Sequence, residues 1–322
     1  MQRHLFDGLS PQARAEALAV FKSYDLGRGE VLVVEDEVDR GMLVIVSGEV
    51  LVTREGVELA RLGPGDTVGE ETLFGTTDRR SATVTTAGAC TVLALDEDGI
   101  ARLRAQENPV VAELEARVLH VLGERLREMN RRIAALAARA PQGRPAASGL
   151  FARTDLPPGT PPMERPPDPV AVLQRAPGFG ERPREDLAAL AARLEMVAAP
   201  SGAVLIQAGR RAESAFLVCA GRVEVTTPLE GGGEERVALL GPGLLFGHVA
   251  LADAQARSAT CRALDPCYLL RIQLATFQAL TTEQSPAGRA LRRGLIESLS
   301  GQLRLANAHF VALRGSTPAW GA

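Results

Sequence analysis

The chain repeats itself, and a repeat limits the fold more than any single motif, because whatever the first half builds the second half must build again. Gly29-Glu30-Val31-Leu32 recurs as Gly202-Ala203-Val204-Leu205, and Gly48-Glu49-Val50 recurs as Gly221-Arg222-Val223, both 173 residues further on. Leu62-Gly63-Pro64-Gly65 recurs as Leu240-Gly241-Pro242-Gly243 after 178 residues. The five added residues fall around Gly231-Gly232-Gly233, a turn composition that tolerates insertion. Arg80-Ser81-Ala82-Thr83 recurs as Arg257-Ser258-Ala259-Thr260, and Leu126-Arg127 with Asn130 recurs as Leu303-Arg304 with Asn307, all 177 residues on. Between the copies, residues 141–168 carry eight prolines, which reads as a semi-extended spacer. At 322 residues the chain is long enough for two cores. The expected organisation is a domain over 1–140, a linker over 141–168, a second domain over 169–315 and a tail over 316–322.

Each copy has the same order of patterns. A helical opening (11–21 and 184–194) leads into short runs rich in β-branched residues, such as Met42-Leu43-Val44-Ile45-Val46 and Ala215-Phe216-Leu217-Val218, separated by Gly and Pro-Gly turns. Short strands at regular spacing predict a mainly β roll or sandwich. After Leu95 the period changes. Val111, Leu114, Val118, Leu122, Leu126, Met129, Ile133 and Leu136 recur every three or four residues, as do Leu291, Leu295, Leu299, Leu303, Phe310 and Leu313 in the second copy. Each series is one apolar face of a long helix. The expected fold is therefore mainly β with flanking helices: two tandem β-rolls, each closed by a long C-terminal helix.

Composition narrows the function. A net charge of −3 is not the footprint of a chain that holds nucleic acid by neutralising phosphates, so DNA is not an expected partner. No apolar run approaches the roughly 18 residues needed to span a bilayer, and an acid at Asp7 interrupts the N-terminus before a signal-peptide core develops, so a cytoplasmic protein without a membrane partner is expected. Cys90, Cys219, Cys261 and Cys267 show no C-x-x-C spacing and no clustering with His4, His120, His248 and His309, so no metal site is expected. No P-loop, nucleophile elbow or H-E-x-x-H helix is present, and the chain is expected not to be an enzyme.

The informative stretch is Gly69-Glu70-Glu71-Thr72-Leu73-Phe74-Gly75, followed by Arg80-Ser81-Ala82. An arginine fork meets phosphate oxygens, a serine hydroxyl adds a donor, a glutamate accepts from a sugar hydroxyl, and a glycine lets a ligand approach the backbone. If the Gly69–Phe74 segment is a helical turn, its free N–H groups also face the anion. This Gly-Glu pair, short apolar turn and Arg-Ser-Ala resemble the phosphate-binding cassette of cyclic-nucleotide-binding domains, as in catabolite-activator-type regulators and protein kinase A regulatory subunits. With the upstream glycines and the closing helix, the resemblance covers residues 5–139 and 170–314.

The resemblance implies ligand-binding roles for Gly69, Glu70, Glu71, Arg80, Ser81 and Ala82 in the first copy. Val68 replaces the common Phe before the glycine, and Glu71 puts a second carboxylate where an apolar or hydroxyl side chain is usual; its side chain is expected to turn to solvent. The second copy keeps Gly247, Arg257, Ser258 and Ala259 but has His248 for the glutamate. A neutral imidazole has one ring acceptor and titrates near roughly 6.5, so this copy either binds weakly, takes another ligand, or is a structural pseudo-site. On the closing helices Asn130 and Asn307 could each reach a base edge or face solvent, and the apolar stripes could serve as a homodimer seam. The expected ligand is cAMP or cGMP, with no cofactor, and the expected role is a sensor that signals to a partner protein. The competing expectation is an oligomerisation scaffold made of degenerate, non-binding copies.

Overall fold

The computed structural model describes residues 10–75, 78–137, 165–228 and 234–315. In the first copy the chain runs through α1 (Pro11–Leu18), β1 (Lys22–Leu26), β2 (Val31–Val33), β3 (Gly41–Ser47), β4 (Val50–Arg54), β5 (Val57–Leu62), β6 (Thr67–Val68), α2 (Glu70–Phe74), β7 (Thr83–Thr86), β8 (Cys90–Asp96), α3 (Glu97–Ala105) and α4 (Val110–Ala137). The second copy follows with α5 (Pro169–Arg175), α6 (Arg184–Ala191), β9 (Glu195–Ala199), β10 (Val204–Ile206), β11 (Ser214–Ala220), β12 (Val223–Pro228), β13 (Glu234–Leu240), β14 (Leu245–Phe246), α7 (His248–Ala252), β15 (Thr260–Ala263), β16 (Cys267–Gln273), α8 (Leu274–Thr282) and α9 (Pro286–Gly315).

The first copy forms two antiparallel four-stranded sheets, ordered β1-β8-β3-β6 and β2-β7-β4-β5. The second has the same two sheets, ordered β9-β16-β11-β14 and β10-β15-β12-β13. Even the irregularities repeat: register shifts at Val31/Val33, Ile45/Ser47 and Val52/Thr53 recur at Val204/Ile206, Val218/Ala220 and Val225/Thr226. Bulges re-aim the strand that carries them, so a duplicated bulge fixes a duplicated sheet shape. The repeated glycines have a common cause as well. Gly48 and Gly221 both lie at positive φ, and a Cβ on either would strike the carbonyl of Ala89 or Pro266. These are two tandem jelly rolls with flanking helices. The insertion read near Gly231 and the linker over 141–164 lie outside the described residues.

Each roll has its own interior. Val33, Ile45, Val50, Leu62, Val84 and Val92 fill the first, and Ile206, Val218, Val223, Leu240, Cys261 and Leu269 fill the second, where Phe216 and Phe246 stack with centroids 5.3 Å apart. A third core is shared. It is built from the helices of both copies, with α4 lying against α9. Local chemistry starts α4 sharply: the Asn108 side chain accepts from Val110 N–H at 3.0 Å, and Pro109 takes the position where an N–H would lack a partner. Leu114, Leu122 and Leu126 of α4 and Leu291, Leu295 and Leu299 of α9 are fully buried. The stripes that could have served a second chain thus cover each other within one chain.

At this seam Arg292 of α9 donates from Nε to Glu115 of α4 at 2.8 Å, and both residues are at most 2% exposed. Arg292 also donates to the carbonyls of Leu280 and Glu283 at 3.0 and 2.6 Å, and Arg293 and Arg104 approach the other Glu115 oxygen at 3.4 and 3.6 Å. Truncating one partner of such a pair leaves an uncompensated buried charge. Glu115→Ala is therefore expected to cost about 3–5 kcal/mol, read as a lowered urea midpoint; a wild-type midpoint would show that the seam does not depend on this pair.

Candidate ligand-binding site

The site of the first copy is built where the end of β6 turns into the one-and-a-half-turn helix α2. Gly69 makes that turn at φ +83°, and a Cβ there would collide with the Arg80 guanidinium and the Gly41 carbonyl. The glycine thus lets the arginine pass beneath the backbone. Arg80, 5% exposed, donates from Nη1 to the Gly41 carbonyl at 2.7 Å and the Thr72 hydroxyl at 2.9 Å, and from Nη2 to the Asp39 carboxylate. Its Nε is buried and has no hydrogen-bond partner. Glu70, 1% exposed, receives a bond from Arg125 Nη1 of α4, and Arg125 Nη2 donates to the Thr67 carbonyl at 2.5 Å.

These groups face a cavity of about 270 Å³. Val33, Val52, Leu62 and Val84 of the roll form its apolar floor, and Gly69, Glu70, Glu71, Thr72, Arg80, Ser81 and Ala82 form its polar wall. The structure therefore brings all six residues expected in the first copy to one cavity. Its cover is composite: Arg125, Glu128, Met129 and Arg132 come from α4, and Leu303 and Asn307 come from α9 of the second copy. Arg132 is held by the carbonyls of Leu59 and Glu58 and lies over the Phe310 ring at 4.2 Å. Asn130 is half-buried and is not among the lining residues, whereas Asn307 serves the opposite copy's cavity.

Glu71 corrects an expectation. Its side chain turns inward, 8% exposed, because α2 packs beneath α9. Its Oε2 has no hydrogen-bond partner, and Arg304 of α9 stands 3.8 Å from that oxygen. Burial, reinforced by Glu70, pushes the carboxyl up to about 7 despite the opposing pull of Arg304, Ser81 and Arg125.

The second copy keeps the frame and changes the contents. Gly247 repeats the positive φ, and Arg257 donates to the Gly247 carbonyl at 2.6 Å and to the Ser214 carbonyl. Ile206 takes the place of Val33, and its Cδ1 lies against Gly247. His248 is 3% exposed and its Nδ1 has no partner, while Gln302 stands 3.5 Å from Nε2. Burial, with Arg257 beside it, pulls His248 down to about 4, so it stays neutral and does not titrate near the ordinary histidine value. Ser258 is exposed and Ala259 half-buried, unlike Ser81 and Ala82.

Arg125, Asp39 and Arg304 were not singled out in the sequence as site residues. Arg125 had a signal: three residues after Leu122 and four before Met129, it is a charge on the inward face of the helix. Asp39 and Arg304 gave none, since each acts through a contact made only in three dimensions.

A family model of the cyclic nucleotide-binding domain matches residues 25–107 and again 196–284, together more than half of the chain. The chain belongs to this family. A cyclic nucleotide-gated potassium channel of Mesorhizobium japonicum is 34% identical over 98 residues, 30% of this chain and 26% of that one. A CRP-like cAMP-activated global transcriptional regulator of Mycobacterium tuberculosis is 29% identical over 137 residues, 41% of this chain and 59% of that one. The chain thus spans about a quarter of that channel and just over half of that regulator. The regulatory domain of Toxoplasma gondii protein kinase A, solved with cAMP, aligns at a TM-score of 0.33 and 17% identity over 85% of this chain and 86% of that one. Among the described residues no helix is long and apolar enough to cross a membrane, and no group of His, Cys, Asp and Glu could hold a metal ion.

The buried Glu71 has a consequence for stability. Because its proton is held more tightly in the folded than the unfolded chain, stability falls as pH rises from about 4.5 to about 7. Glu71→Gln is expected to stabilise by up to roughly 3 kcal/mol near pH 8 and to make little difference near pH 4. Equal melting temperatures of mutant and wild type at the higher pH would contradict the buried placement.

Proposed function

We propose that the first copy binds a cyclic mononucleotide, cAMP before cGMP, and that the protein is a non-enzymatic regulatory sensor that passes its ligand-bound state to a partner protein. The observation that carries this reading is the cavity wall, where a buried arginine and a buried glutamate line one pocket with an apolar floor. Arg80, with its unpartnered Nε, and Ser81 suit the phosphodiester. Glu70, oriented by Arg125, suits the ribose 2′-hydroxyl, and the valine floor suits the base. Asn307 offers an amide to the base edge from the second copy. The names of relatives that are activated by cAMP or gated by cyclic nucleotides agree with this assignment. A cytoplasmic setting belongs to the same proposal and is supported by four free, buried cysteines.

The output follows from the cover. Arg125 of α4 and Asn307 of α9 meet at the cavity, with Arg304 behind Glu71, so a ligand has different contacts in each arrangement of these helices, and only that difference can move them. The second copy is proposed to act as a structural half that does not take the same nucleotide. His248 replaces the carboxylate, and Ile206 fills space beside Gly247. The scaffold reading draws on this second copy, and the polar wall of the first speaks against it.

A thermal-shift panel with cAMP, cGMP, cyclic di-GMP and linear AMP tests the reading. One cyclic mononucleotide at about 100 times its Kd is expected to stabilise by about 2.7 kcal/mol. Arg80→Ala is expected to lose about 2–5 kcal/mol of binding, and undiminished affinity in that variant would overturn the site. Calorimetry is expected to give one nucleotide per chain; two equivalent sites would overturn the structural role of the second copy.

A further inference from the structure

The charged groups in and just behind the wall of the first cavity are paired off before any ligand arrives. Three carboxylates, Glu70, Glu71 and Asp39, face three guanidiniums, Arg125, Arg304 and Arg80. The pairs are unequal. Glu70 accepts a charge-assisted bond from Arg125, and Asp39, on the solvent side with its side chain 59% exposed, accepts one from Arg80. Glu71 differs in its arginine: its Oε2, like that of Glu70, is buried and accepts no hydrogen bond, but its guanidinium neighbour Arg304 stays 3.8 Å away where Arg125 donates to Glu70. The charged and hydrogen-bonding groups around it are Glu70 on its own helix, Arg304 on α9, Arg125 on α4, and Ser81 and Arg80 on the segment leading to β7; Glu128 and Arg132 of α4 line the same cavity. Of these, Arg125 and Arg80 are already committed elsewhere.

A ligand phosphodiester held at Arg80 and Ser81 adds one negative charge to this enclosed set, beside the carboxylate least well paired. Like charges sharing a desolvated site cannot all stay ionised, and the group that gains a proton is the one with the weakest compensation. We propose that the copy-one cavity takes up its anionic ligand together with one proton, which comes to rest on the Glu71 carboxylate. This rests on the nucleotide reading given above and adds to it that the site senses acidity and ligand jointly. The proton comes from solvent, no covalent bond to the ligand forms or breaks, and the occupied set returns to balance. Even in the empty cavity burial already holds the Glu71 carboxyl at about 7, so its ionised form predominates at a mildly alkaline pH and is available to take up the proton.

The sign follows from linkage. Where Glu71 is ionised in the free protein and protonated in the complex, binding weakens as pH rises. Above about pH 7 the Kd is expected to rise by up to tenfold per pH unit, and below about pH 6 it levels off. The test is calorimetric titration of the full chain with cAMP and with cGMP, in HEPES and in Tris, near pH 6 and near pH 8. The phosphodiester keeps its single charge throughout this range. The dependence of the heat on the buffer counts protons: close to one taken up near pH 8, and only a small fraction near pH 6. Glu71→Gln is expected to bind with no uptake and with a Kd that does not change with pH. Binding by the wild type without proton uptake near pH 8, or uptake that persists in Glu71→Gln, would overturn the proposal while leaving the nucleotide assignment standing. No heat with either nucleotide in either protein would instead remove that assignment, and the linkage with it.

Discussion

The cover of the site depends on two long helices from opposite copies sharing one apolar seam inside a single chain. Leucine against leucine supplies area but little register, because sliding by one turn replaces one such contact with another. The pair Glu115–Arg292 removes that freedom. Buried charges are costly to desolvate and add little net stability, but they tolerate only one partner geometry. Arg292 is also tied to the carbonyls at the end of α8 and the loop after it, so the position of α9 along α4 is set from both sides.

That register explains why each copy's helix ends on the other copy's cassette. Arg127 and Arg304 occupy equivalent places in the repeat, and both cross over. Arg127 grips the buried Asp253 just beyond α7 with Nε and Nη2 and donates to the Ala256 carbonyl at 3.0 Å. Arg304 reaches Glu71 on α2 at 3.8 Å. The repeat thus reciprocates its contacts, the closing helix of each copy meeting the cassette of the other. The second cassette keeps its crossing contact, Arg127–Asp253, although a neutral histidine stands where the first has Glu70.

The strands, turns and long helices were legible in the sequence because their signals are local. Alternating β-branched residues, Pro-Gly turns and a three-four apolar spacing state the secondary structure in any context, and the repeat doubled each signal. The wall of the cavity was legible for a related reason, since Gly69, Glu70, Arg80 and Ser81 lie within one short stretch. The cover was not. Arg304 and Asn307 lie more than 200 residues from the cassette they complete, and nothing in their neighbours tells which copy they face. Glu71 failed for the opposite reason. A second glutamate in a polar loop reads as solvent-facing until α9 is placed on top of α2, and a histidine reads as titratable until burial removes its charge.

The two crossings are built alike but held unequally, and this decides where a ligand's charge can act. At Arg127 the contact is bidentate and nearly closed to solvent, with side chains 10% and 0% exposed. At Arg304 the guanidinium is 34% exposed and stands beyond hydrogen-bond distance from its carboxylate. The first crossing lies at the second copy's cassette and is saturated, whereas the second lies at Glu71, on the wall where an anion in the first cavity would arrive. An interaction transmits a signal only if it differs between two states, and a contact closed on both sides, like Arg127–Asp253, gives a ligand in the first cavity little to act on. The Arg304 crossing, inside α9 and beside the first cassette, is the one whose distance bears directly on the charge of Glu71.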